Sequence, residues 1–186
     1  MNVSDAVRRR RSIKRFTARP LDPEELAGLL ELVVLAPNHR MTEPWRFVVL
    51  GPRAKRAWAE IKGESRAGRV DDAEVAEAIR RRTIEDIESL PGLIAFIQPL
   101  ADAPDVREED YATLYMGIQN LLLGAVDLGL GTHVKTGGEL EGEGLREALG
   151  VGDGERVVAL VQIGEPAELP APKPRTAATH RTTWLP

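Results

Sequence analysis

Ala36-Pro37-Asn38-His39-Arg40-Met41-Thr42-Glu43-Pro44-Trp45-Arg46-Phe47 is the stretch on which the reading of this chain turns. It joins a helix to a strand, is crowded with hydrogen-bonding side chains, and is stiffened by Pro37 and Pro44. Just upstream, Leu26, Leu29, Leu30, Val33 and Val34 recur at the i, i+3, i+4 spacing of a core-facing helical stripe. Asp22 is the expected N-cap of that helix, Pro23 its first residue, and Glu24 and Glu25 favour its positive end. Downstream, Trp45–Leu50 reads as a strand by its aromatic and β-branched content, stopped at Gly51-Pro52.

Working outward, Val3–Arg11 reads as a short helix capped by Ser4 or Asp5. Arg53–Ser89 is helical in composition and is expected to divide into two helices with breaks at Gly63 and Gly68. Gly92–Gln98 is almost wholly apolar, the mark of a central strand covered on both faces. Residues 102–109 are expected to form a loop. Tyr111, Leu114, Tyr115, Ile118, Leu121, Leu122, Ala125 and Leu128 then give the most regular helical stripe in the chain, ended by Gly129. A short strand at Gly131–Lys135, a helix at Leu140–Leu149 and a strand at Val157–Ile163 follow. Beyond Gly164-Glu165-Pro166 the chain is proline-rich and cannot build a core of its own, so it is expected to lie extended across its own domain or a partner. Helices alternate with strands through residues 1–186 without an internal repeat, which points to a single domain with a helix-covered sheet.

Composition narrows the chemistry. The 186 residues contain no cysteine, which removes disulfides, thiol catalysis and cysteine metal sites, and fits a cytoplasmic protein. No apolar leader or membrane-length apolar run occurs. The net charge of −4 argues against a dedicated nucleic-acid binder. Charge is uneven, however: Arg8, Arg9, Arg10, Arg11, Lys14, Arg15 and Arg19 crowd the N-terminus. Basic residues near a helix C-terminus are favourable in themselves, so this run reads either as a solvated helix end or as a phosphate site in which Arg10 or Arg11 supplies forked donors and Ser12 a hydroxyl.

Several familiar sites are missing. His39, His133 and His180 have no metal-ligand spacing, and neither a G-x-S-x-G elbow, a G-x-G-x-x-G fingerprint nor a Walker loop occurs. Thr132-His133-Val134-Lys135-Thr136-Gly137 reads either as a plain connecting turn or as a loop turned toward a ligand at the end of the sheet.

Taken together and in order, Arg10-Arg11-Ser12 with Lys14 and Phe16, Ala36–Phe47, Lys135-Thr136-Gly137, and Ile163-Gly164-Glu165-Pro166 resemble the nitroreductase family of flavin oxidoreductases. The likeness is greatest to its compact branch, with Ala-Pro-x-His-x-x-x-x-Pro-Trp after the second helix. The resemblance implies an α+β fold with a mainly antiparallel sheet, and a homodimer with FMN at its interface. It implies that NADH or NADPH reduces the flavin and that a nitroaromatic, quinone or similar acceptor then collects the electrons. The flavin carries the chemistry, so no side chain is expected to act as catalyst and no metal is required. By the same resemblance Arg10, Arg11 and Ser12 hold the phosphate and ribityl chain, and Lys14 reaches the polar edge of the ring. Pro37, Asn38, His39 and Arg40 belong to the segment lent by the partner subunit. The backbone of Val134, Lys135 and Thr136 touches the flavin from the other side, and Lys173 and Arg175 complete the phosphate site. A reductive dehalogenase, a flavin-degrading enzyme or a flavin-binding protein without turnover are the alternatives.

Two departures from the family pattern stand out. Glu43 stands where relatives often have glutamine, and is expected to be neutralised by Arg40 or Arg46. Val134 stands where they often have an aromatic ring, which leaves the substrate range open.

Overall fold

In the computed structural model, which describes all residues Met1–Pro186, strand β2 (Gly92–Pro99) is buried along its apolar length and fixes the centre of the molecule. It pairs antiparallel with β1 (Arg46–Val49) on one side and β4 (Glu155–Gly164) on the other, and β3 (Gly131–Lys135) closes the order β1-β2-β4-β3. Successive residues of β2 face opposite ways. Ile94 and Phe96 enter one core with Leu29 and Val33 of helix α2 (Pro23–Val34) and Leu114, Ile118 and Leu121 of α5 (Pro104–Asp127). Leu93, Ala95 and Ile97 enter a second core with Trp58 of α3 (Pro52–Ala67), Ile87 of α4 (Ala73–Glu88) and Leu145 of α6 (Glu143–Leu149). The result is an α+β sandwich: helices on both faces of an antiparallel sheet. In β4, Val158 and Ala159 both turn toward the first core, and the register with β2 slips there between Phe96 and Ile97, as a bulge requires.

Local signals account for most boundaries. Asp22 accepts from the Glu24 N–H at 2.9 Å and Pro23 opens α2, as expected. Helix α1 (Val3–Arg9) is capped by Asn2, whose side chain accepts from the Asp5 N–H, and not by Ser4 or Asp5. The break expected at Gly63 is absent: α3 runs through it, and the glycine serves the close packing of α3 on α4, since a Cβ there would lie 3.3 Å from Arg80 Cγ. The two helices part only at Gly68, before the Asp72 cap of α4. Residues 104–109, expected as loop, are the first turns of α5: Pro104 sits in the first turn, where the missing N–H costs nothing. The chain beyond Ala167 is extended and exposed apart from a short 3₁₀ turn at Ala178–Arg181. No helix is long and apolar enough to cross a membrane.

Candidate functional site

The N-terminal basic run divides into two kinds of residue. Arg11 turns back and donates to the carbonyls of Arg8 and Arg10 at 2.6 and 2.9 Å, so it caps the C-terminus of α1. After Arg10 the chain becomes extended and runs beside β3. Ser12 bridges Thr132 in parallel, and the Ile13 N–H donates to the Thr132 carbonyl at 2.9 Å. Ile13 is buried, while Ser12 and Lys14 alternate to the outside. The approach is close enough to require Gly131, since a Cβ there would run into Ile13 Cγ1. Farther on, Phe16 bridges Pro166, and Thr17 Oγ1 donates to Glu165 at 2.6 Å. Residues 12–17 are thus held between β3 and the end of β4.

Strand alternation now sorts the β3 residues. Val134 packs into the first core, away from the segment's charged face. His133 and Lys135 face the other way and line a cavity of about 570 Å³. Lys14, Arg15 and Phe16 form one wall, Gln162 part of the floor, and Trp58, Lys62, Arg66 and Arg82 of the α3–α4 pair the far wall. Sequence reasoning missed this far wall. The signal was present: Trp58, Lys62 and Arg66 recur every fourth residue and so share one helical face.

The cavity is short of negative charge. Lys62 is engaged by Glu139, which also accepts from Ser65 Oγ, and Arg15 is engaged by Glu168 at 3.2 Å. Burial alone would raise the Glu139 carboxyl, but the bonds from Lys62 and Ser65 bring it below the usual range. Lys14, Arg66, Arg82 and Lys135 remain, with Asp86 the one acidic residue on the lining. Burial, then the charges of Arg66, Lys62 and Lys14, push the Lys135 ammonium down to about 8. Burial and Lys135 likewise push His133 down to about 4, so its neutral ring accepts from Lys135 Nζ, 3.2 Å from Nδ1. Trp58 is only 1% exposed, and its indole N–H is buried without a partner.

The Ala36–Pro44 loop lies elsewhere. Arg40, Met41 and Glu43 have φ of 65°, 50° and 48°, a left-handed backbone that non-glycine residues adopt at a cost. Side chains hold it: Asn38 accepts from the Glu43 N–H at 2.7 Å, and Thr42 donates to Asp110 at 2.5 Å. His39 Nδ1 and Arg40 Nη1 both lie 2.9 Å from one oxygen of Glu109. The pairing expected for Glu43 is not formed, because Arg40 is taken by Glu109 and Arg46 by Glu155 at 2.7 Å. None of Pro37, His39 or their neighbours borders the cavity, so within one chain the two halves of the expected site do not meet. Thr136 is exposed just beyond β3. Lys173 and Arg175 are also exposed, and Arg175 donates to carbonyls of its own tail.

The profile of the nitroreductase family matches residues 7–165, from the basic run through the end of β4. The chain belongs to the nitroreductase family. It is 31% identical over 183 residues to YfhC of Bacillus subtilis (strain 168), a protein provisionally named NAD(P)H nitroreductase, covering 98% of this chain and 94% of that one. Among solved structures, a nitroreductase-like family protein from Bacillus cereus superposes with a TM-score of 0.85 at 25% identity, covering 100% of this chain and 96% of that one. The FMN and NADPH-dependent nitroreductase NfnB from sphigopyxis sp. strain HMH shares the fold, with a TM-score of 0.80 at 22% identity and full coverage of both chains. The family match stops short of the exposed tail that carries Lys173 and Arg175.

Proposed function

We propose that the protein is an FMN-dependent oxidoreductase that takes electrons from NADH or NADPH and passes them to a nitroaromatic, quinone or similar small acceptor. The observation that carries this reading is the pairing of residues 12–14 with β3. It pairs Ser12 with Thr132 and sets Lys14 beside His133 and Lys135 on the lining of a cation-rich cavity. The residues present fit the group. The side chains of Arg10 and Ser12 are free of the helix-capping bonds that occupy the Arg11 guanidinium, and offer a forked cation and a hydroxyl to a phosphate. Lys14 and Lys135 concentrate positive charge where the polar edge of a flavin ring would need it. FMN, when bound, supplies the electron-transfer chemistry. The protein's part is to hold it, to stabilise negative charge at the ring edge through Lys14 and Lys135, and to keep His133 neutral as an acceptor for Lys135.

The functional unit in this reading is a homodimer in which the Ala36–Pro44 loop of one copy covers the flavin of the other. Support comes from the loop's separation from the cavity of its own chain and from the apolar surface around it. Leu35 and Met41 are 74% and 73% exposed, and Val3 and Val7 of α1 and Met116 of α5 are exposed as well. Beyond Glu168, which pairs with Arg15, the extended tail is exposed, Trp184 to 88%. The side chain of Val134 is turned into the first core, so the acceptor range follows from the cavity lining rather than from Val134, and the cysteine-free composition accords with a cytoplasmic setting.

Anaerobic titration tests the reading. Purified protein should be yellow, and its flavin bands should bleach with NADH or NADPH and recover with a nitroaromatic or quinone. A colourless protein that takes up no FMN on reconstitution overturns it, and a flavin-loaded monomer in solution overturns the dimer.

A further inference from the structure

We propose that the α3–α4 wall of the cavity is an anion site, in which Arg66, Arg82 and the indole N–H of Trp58 hold a carboxylate or phosphate carried by the molecule that exchanges electrons with the flavin. This rests on the proposed function for its setting, but its evidence is separate from that for the flavin. Arg10 and Ser12, assigned to the FMN phosphate, do not border the cavity, whereas these three residues do.

Three observations converge. Trp58 is fully buried with an N–H that meets no acceptor, although a buried donor is almost always paired. The indole is also covered by a cation, with Lys62 Nζ 5.8 Å from the ring centroid. The arginines are under-used. Arg66 spends one donor on Thr83 Oγ1 at 3.2 Å, and Arg82 enters no ion pair, unlike Arg80 on the same helix, which is closed by Glu64 and Glu77. Finally, the neighbouring positive charges already on the wall are neutralised locally, Lys62 by Glu139, while Arg66 and Arg82 are not. A neutral ligand would leave all three features unsatisfied. A group with two or three anionic oxygens satisfies the fork of an arginine and the indole N–H together. That chemistry has two sources, the 2′-phosphate of a nicotinamide donor or the carboxylate of an acidic acceptor.

Calorimetry on the flavin-loaded protein separates them with unreactive probes. Benzoate is compared with benzamide, and adenosine 2′,5′-bisphosphate with adenosine 5′-phosphate. The charged member of at least one pair should bind about tenfold or more tightly. Its advantage should shrink between about 0.05 and 0.5 M salt. It should also be lost in the double variant Arg66→Gln/Arg82→Gln, and fall several-fold in Trp58→Phe, which keeps the ring and removes the N–H. Benzoate discrimination identifies an acidic acceptor, and bisphosphate discrimination a 2′-phosphate. The proposal is overturned if the wild-type protein discriminates in neither pair, if the double variant discriminates as well as wild type, or if the double variant loses FMN, since the arginines then serve the flavin. Should the protein bind no FMN at all, the flavin reading fails, and the same titrations still decide whether the wall binds anions. The salt series needs no variant, so it decides even if a substitution prevents folding.

Discussion

The backbone N–H of Ile13 donates to the carbonyl of Thr132 at 2.9 Å, and that bond brings Lys14 alongside His133 and Lys135. A helix end and a strand distant in sequence become one charged rim. Each half alone is unremarkable: a solvated arginine run and a short strand before a glycine turn.

Gly131 is the residue that lets this approach happen. Gly131→Ala places a methyl against Ile13 Cγ1, and the wall of the core must shift. Overpacking of this kind costs about 1–3 kcal/mol. The variant should melt lower and carry less than one FMN per subunit. Thermal melts and the ratio of flavin to protein absorbance report both.

Arg10→Ala combined with Ser12→Ala should leave a folded protein, since neither side chain packs in the core. Charged hydrogen bonds are worth about 1.5–3 kcal/mol each, so FMN affinity should fall by at least about tenfold. Arg11→Ala, by contrast, should act mainly on stability, by uncapping α1. Fluorescence titration with FMN separates the two outcomes, and an equal loss of affinity in both would show that Arg11 also holds the phosphate.

His133 predicts a pH dependence. Its folded pKa of about 4 lies below the ordinary 6.5, so between these values the unfolded chain binds a proton that the folded chain refuses. The stabilisation is therefore fully present above about pH 6.5 and is lost as pH falls toward 4. Allowing for a half-exposed ring, the loss is about 1–2 kcal/mol. Urea unfolding of the flavin-free protein at pH values above and below this window should show a smaller decline for His133→Gln than for wild type.

Glu109 anchors two cations of the left-handed loop through one oxygen. Glu109→Ala should change global stability by less than about 1 kcal/mol, as surface pairs do. Arg40 would then lose its ion pair while the Asn38 and Thr42 bonds remain, and trypsin should cut after Arg40 faster than in wild type. A time course resolved by mass spectrometry measures the change at that bond.

Much of the architecture could be read from local chemistry. The Asp22-Pro23 start of α2, the wholly apolar β2 and the stripe of α5 are each written in a few neighbouring residues. Local chemistry falls short where a signal is ambiguous or a distant partner decides. Ala103 gives α5 no capping side chain, so its first turns looked like loop. Gly63 looked like a break because the need for a small residue comes from Arg80 on another helix. The pairing expected for Glu43 does not form because its candidate partners, Arg40 and Arg46, are claimed by Glu109 and Glu155, both far away in the chain. The α3–α4 wall of the cavity was hidden for the same reason. Its residues share a helical face, but only the folded sheet shows that the face looks toward Lys14 and Lys135.

The clamp on residues 12–17 also bears on how the protein is made. Thr17 and its partner Glu165 are 148 residues apart, so the N-terminal strip leaves the ribosome long before anything exists to hold it. During synthesis it must wait unpaired until β3 and the end of β4 have followed, and such long-range closure is slow. In the proposed reading flavin capture is then a late event in biogenesis, because the strip that bears Arg10 and Ser12 is fully clamped only once Glu165 has emerged.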